Sequence, residues 1–97
     1  MTLSFAPQSA EINEAGRNAL DTMARSAAQR GVKQIELRAY ATGTDTADAR
    51  KVALARALSV RSYLIDHGVK ARIEVGAFAT AGRGPGTERV EITLPPP

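Results

Sequence analysis

Apolar residues recur along this chain with two different periods, and the changes between them mark out its elements. Leu3-Ser-Phe5 alternates and predicts a short strand, ended by Pro7. Ile12, Ala15, Ala19, Met23 and Ala27 then repeat at helical spacing, with Leu20 beside them. Ser9 stands as the N-cap and Glu11 in the first turn, where an acid suits the helix dipole, so a first helix is expected from about Ala10 to Arg30. Gly31 is its left-handed stop, and Val32 folds back on the last turn. Ile35-Glu-Leu-Arg-Ala39 alternates again, as a strand does. A turn through Ala41 to Thr46 leads to a second helix, from about Thr46 to His67, stopped by Gly68-Val69. Ile73, Val75 and Ala77 predict a third strand. The connection Thr80-Ala-Gly-Arg-Gly-Pro-Gly-Thr87 is too rich in breakers to be regular. Val90, Ile92 and Leu94 predict a last strand, and Pro95-Pro-Pro97 a tail that cannot continue a ladder.

The second helix carries the sharpest pattern. Ala53, Ala57, Val60 and Leu64 fall at i, i+4, i+7 and i+11 and make one narrow face, small enough at Ala53 and Ala57 to lie close on a sheet. Arg56 sits beside that face, about 60° round it, with a head expected to reach outward near the loop Thr42-Gly-Thr-Asp-Thr46. Leu54, Leu58 and Ile65 form a second apolar set, roughly 110° from the first. Either the first helix covers it, or it is a contact surface for a partner or a second copy of the chain. A weak internal echo, Gly31-Val-Lys-Gln-Ile-Glu-Leu against Gly68-Val-Lys-Ala-Arg-Ile-Glu-Val, makes the second and third strands parallel neighbours across the second helix. The expected fold is α+β: β-α-β-α-β-β, a two-layer sandwich with two helices on one face of a mixed four-stranded sheet.

Composition narrows the chemistry. The 97 residues make one domain, 1–97, whose core is aliphatic, since hydrophobic residues are 43% and aromatic ones 4%. There is no Cys and a single His67, which excludes thiolate and His-cluster metal sites. The net charge of +3 is spread along the chain and favours an anionic partner only weakly. Met1 to Pro7 lacks the basic and apolar regions of a signal peptide, and no run reaches the length of a membrane span. Ser59 lies in mid-helix with no elbow motif, His67 stands at a helix end suited to capping carbonyls, and Gly82-Arg-Gly-Pro-Gly86 is followed by no Lys-Ser/Thr, so no enzyme or cofactor is expected. A nucleic-acid partner is not expected either: only Tyr40 and Phe78, at strand ends, offer aromatic faces.

The run Val52-Ala-Leu-Ala-Arg-Ala-Leu-Ser-Val-Arg-Ser-Tyr-Leu-Ile-Asp-His-Gly-Val69 resembles the L-S-x-x-R-A-x-x-V-x-x-Y-L-x-x-x-G-V signature of the OmpA-like C-terminal domain family, with Arg56-Ala57 at the Arg-Ala pair. Thr87-Glu-Arg-Val-Glu-Ile92 resembles its closing N-R-R-V-E-I strand, with Arg89 on the second Arg. Departures fall in the loop and at the start of the helix run, where Val52-Ala53 replaces Leu-Ser. Ala39-Tyr40 takes the first two places of the family's G-H/Y-T-D-x-x-G, the next Thr-Asp is Thr44-Asp45, and no Asn follows. The resemblance implies the same β-α-β-α-β-β architecture. It also implies an excised C-terminal domain of an outer-membrane or envelope protein, located in the periplasm and binding peptidoglycan non-covalently. By resemblance, Arg56 takes the free carboxylate of diaminopimelate in the stem peptide and Asp45 its ammonium group, with Arg89 near the pocket and no metal or cofactor. Backbone donors of Thr42, Gly43 and Thr44 can assist. Each residue also has a simpler role: an ion pair of Arg56 with Asp45 or Asp48, an N-cap at Asp45, and a cross-strand charge at Arg89. The alternative function is a scaffold that has lost the pocket and assembles through Leu54, Leu58 and Ile65.

Overall fold

Six elements follow one another in the computed structural model, which describes residues 1–43, 45–80 and 87–95. They are β1 (Thr2–Ser4), α1 (Glu14–Arg30), β2 (Gln34–Thr42), α2 (Thr46–Asp66), β3 (Arg72–Thr80) and β4 (Arg89–Thr93). The sheet order is β1-β4-β2-β3. β4 runs antiparallel to both β1 and β2, and β2 and β3 are parallel. The expected α+β order is the one observed. Thr44, six residues of the Gly-rich connection and the end of the Pro tail lie outside the described residues.

Alternation sorts β2 into two faces. Ile35, Leu37, Ala39 and Ala41 point under the helices and are fully buried, joined there by Val90 and Ile92 of β4. Ala53, Ala57, Val60 and Leu64 of α2 meet them with no exposure at all, so the small stripe does hold this helix against the sheet. α1 adds Leu20, Met23, Ala24 and Ala27. On the outer face Tyr40 and Phe78 are register partners, their rings stacked 5.4 Å apart. The echo between the two halves is the β2–β3 register itself: Ile35 pairs with Ile73 and Leu37 with Val75. Both helices end alike. Gly31 and Gly68 take positive φ, and Val32 and Val69 donate back to Ala27 and Leu64 at 3.0 Å.

Two expectations change. α1 starts at Glu14, capped by Asn13, whose Oδ1 accepts from Gly16 N at 2.8 Å. Ser9 is spent on a tight turn instead. Its N–H donates to Ala6 O, with Pro7 second and Gln8 third at φ 60°, the shape of a type II turn. Leu54, Leu58 and Ile65 are not covered by α1 and stay 43%, 44% and 44% exposed. α1 approaches the other flank of α2, where the Tyr63 hydroxyl donates to Asp21 at 2.7 Å. That bond comes first, with burial behind it, in holding the Tyr63 hydroxyl above its usual value.

Candidate functional site

Arg56 is buried outright, with 0% of its surface exposed, so its head turns inward rather than outward. The direction follows from helix geometry. A side chain on α2 leans toward the helix N-terminus, and that flank of α2 faces the Ala6–Ser9 turn and the end of β2. The guanidinium joins three segments there. Its Nε donates to Ser9 O at 2.7 Å, Nη2 to Ala6 O at 2.9 Å and Nη1 to Tyr40 O at 2.9 Å. The Phe5 ring lies beside it, 5.3 Å from the guanidinium carbon to the ring centroid.

The charge of Arg56 is answered by Glu88, just ahead of β4. Glu88 Oε2 pairs with Arg56 Nη1, and Glu88 Oε1 accepts from the backbone N–H of Thr42 at 3.0 Å and from the Thr42 hydroxyl. Glu88 shares the inward phase of Val90 and Ile92, which is why the start of β4 delivers it to the helix side of the sheet. Its backbone carbonyl also accepts from Phe5 N at 2.8 Å, which fixes the strand start. Burial pushes this carboxyl up, but the two Thr42 bonds and the Arg56 guanidinium outweigh it and hold it below its ordinary 4.5. The side chain remains 16% exposed, while Oε2, the atom against Arg56, is buried.

The other expected residues are placed differently. Asp45 is the N-cap of α2 and its Oδ1 accepts from Ala47 N at 2.8 Å and Asp48 N at 3.3 Å. Gly43 is exposed at the end of β2, and a Cβ added to it would come within 3.3 Å of the Ala49 methyl. Thr44 lies outside the described residues. Arg89 projects from the opposite phase of β4. There it bonds Glu91 at 3.1 Å and lies 3.9 Å from the Tyr40 ring centroid. The structure thus brings Thr42 and Arg56 together through Glu88, and sets Asp45 and Arg89 to other contacts.

Glu88 did not stand out in the sequence reading, yet a signal was there. In Thr87-Glu-Arg-Val it puts an acid where the resembled N-R-R-V strand has its first Arg. Counting from Ala39-Tyr40, the Asp place of the resembled loop falls on Thr42, the residue that holds the Glu88 carboxylate.

The sequence pattern that defines the OmpA family matches residues 4–92. The chain belongs to the OmpA family. Solved structures agree on the fold. The OmpA-like domain of FopA1 from Francisella tularensis superposes with a TM-score of 0.82 at 20% identity, covering 94% of this chain and 68% of that one. The peptidoglycan-associated lipoprotein of Burkholderia pseudomallei gives 0.78 at 17% identity, over 97% and 89%. The C-terminal domain of Helicobacter pylori MotB gives 0.76 at 18%, over 100% and 85%. No curated protein matches the sequence. OmpA-like domains are known for peptidoglycan binding, are typically non-enzymatic, and typically belong to the periplasmic parts of envelope proteins. Among the described residues no helix is long and apolar enough to cross a membrane.

Proposed function

We propose that this domain binds peptidoglycan non-covalently through the diaminopimelate of its stem peptide and so anchors an envelope protein to the cell wall from the periplasm. The observation that carries the reading is the OmpA match over residues 4–92, with the buried Arg56 at its centre. A guanidinium fixed by three backbone carbonyls is pre-organised to hold a carboxylate, and in this structure it holds one. In this reading Arg56 supplies the positive charge for the diaminopimelate carboxylate. An acid of the site supplies a negative charge for the ammonium group, the role that the sequence resemblance gives to Asp45. Gly43 and Thr44 supply backbone donors, Thr42 acts through the Glu88 carboxylate that its own donors hold, and Arg89 adds positive charge on the far side of β4. The test is co-sedimentation with purified insoluble peptidoglycan, with free diaminopimelate as competitor. The domain is expected in the pellet, and the competitor is expected to release it. A domain that stays in the supernatant at low salt overturns the reading.

A second reading has its own observation. Leu54, Leu58 and Ile65 lie open on α2, on the flank away from α1. In it the domain keeps the fold and assembles through this strip, with Arg56 and Glu88 as a structural pair. Mass in solution that rises with concentration, and returns to the monomer value in Leu58→Glu, supports it.

A further inference from the structure

The way Glu88 stands in front of Arg56 decides which groups a ligand can meet. Of the partners of Arg56, the carbonyls of Ala6, Ser9 and Tyr40 belong to the frame of the fold and cannot leave it. Glu88 is the partner carried on a side chain, and that side chain is 16% exposed, although its Oε2 against Arg56 is buried. Asp45, the acid expected from the sequence, is engaged by two N–H groups at the start of α2. An incoming anion alone would have to expel Glu88 and leave a carboxylate without its partner, which is strongly unfavourable in a buried setting. An incoming zwitterion does not carry that penalty. Its carboxylate takes the place of Glu88 on Arg56, its ammonium group takes Glu88, and every charge keeps an opposite neighbour.

We infer that Glu88, rather than Asp45, is the acid of this site, and that the Arg56–Glu88 pair is the resting form of a pocket for a zwitterionic amino-acid centre. The inference rests on the wall-binding reading above and names the group within it that receives the ammonium. Thr42 is the positioning residue, since its two donors fix the direction and the charge of the Glu88 carboxylate.

The experiment uses peptidoglycan sacculi carrying diaminopimelate, either untreated or with their free amines acetylated. Wild type is compared with Glu88→Gln, which keeps an acceptor for Thr42 and removes the charge, and with Asp45→Asn, which keeps a good N-cap. The expected result is that Glu88→Gln, folded by circular dichroism, loses about tenfold or more in affinity for untreated sacculi, the scale of a lost charged hydrogen bond. Asp45→Asn is expected to match wild type, and acetylated sacculi to leave wild type in the supernatant. Undiminished or tighter binding by Glu88→Gln overturns the inference and makes Glu88 a plug. Loss of binding in Asp45→Asn also overturns it. Retention of wild type on acetylated sacculi overturns it even where Glu88→Gln fails to fold. Failure of wild type to bind untreated sacculi removes the wall-binding reading first, and this inference with it.

Discussion

The two flanks of α2 treat polarity in opposite ways. On one, the charged side chain of Arg56 is fully buried and bonded to three backbone carbonyls. On the other, Leu54, Leu58 and Ile65 are left almost half exposed. The difference lies in what each flank faces. The Arg56 flank looks onto a turn whose carbonyls, Ala6 O and Ser9 O, have no strand to pair with, and a guanidinium satisfies them. The other flank looks past β3, the sheet edge, beyond which no further element lies among the described residues. Burial here is set by the neighbours a flank is given and not by the polarity of its residues.

The comparison is broken most severely by Arg56→Ala. It leaves the Glu88 carboxylate without its cation and takes a donor from three carbonyls, and a loss of about 3–5 kcal/mol is expected in denaturant unfolding. A loss below about 1 kcal/mol, the level of an exposed pair, would show that the flank is not held by this residue. Ala57→Leu tests the close approach of α2 to the sheet. About 1–3 kcal/mol of destabilisation is expected from overpacking, since Ala57 has no exposure.

Glu88→Gln sharpens the contrast through pH. Because the folded carboxyl lies below its ordinary 4.5, its charge contributes stability that is complete above that value and lost as pH falls through the lowered one. Melting temperatures of wild type and Glu88→Gln are therefore expected to differ most at neutral pH and to converge in acid. A gap that widens in acid would reverse the sign of the argument. Asp45→Ala removes the N-cap of α2, with a cost of about 1 kcal/mol, and Asp45→Asn should recover most of it. The smallest effect belongs to the open flank. Leu54→Glu and Leu58→Glu in a monomer should each stay within about 0.5 kcal/mol of wild type. A larger loss that grows with protein concentration would mean that the strip is buried in an assembly.

Much of the fold was legible because it rests on local rules. Gly31-Val32 and Gly68-Val69 fixed both helix ends, and alternation fixed β2, β3 and β4. The N-cap at Asp45 was also plain, since capping needs only neighbours in sequence. The start of α1 was not. Ser9 and Asn13 are both good caps, and the choice fell to Asn13 because the Ala6–Ser9 turn is held by Arg56 from 47 residues away. The partner of Arg56 was missed for a similar reason. Asp45 and Asp48 are near it in sequence, whereas Glu88 reaches it through the pairing of β4 with β2.

The sequence by itself determined the order of elements, the inward faces of the strands, the Ala53–Leu64 face of α2 and, through its motifs, the family. These depend on periodicity and on residues a few positions apart. Only the tertiary structure decided that Arg56 is interior, that Glu88 answers it, that Arg89 lies over the Tyr40 ring, and that the Leu54 flank stays open. Those facts depend on which strand lies beside which. A pairwise electrostatic contact has no period and leaves no pattern along the chain until the sheet order β1-β4-β2-β3 brings its two halves together.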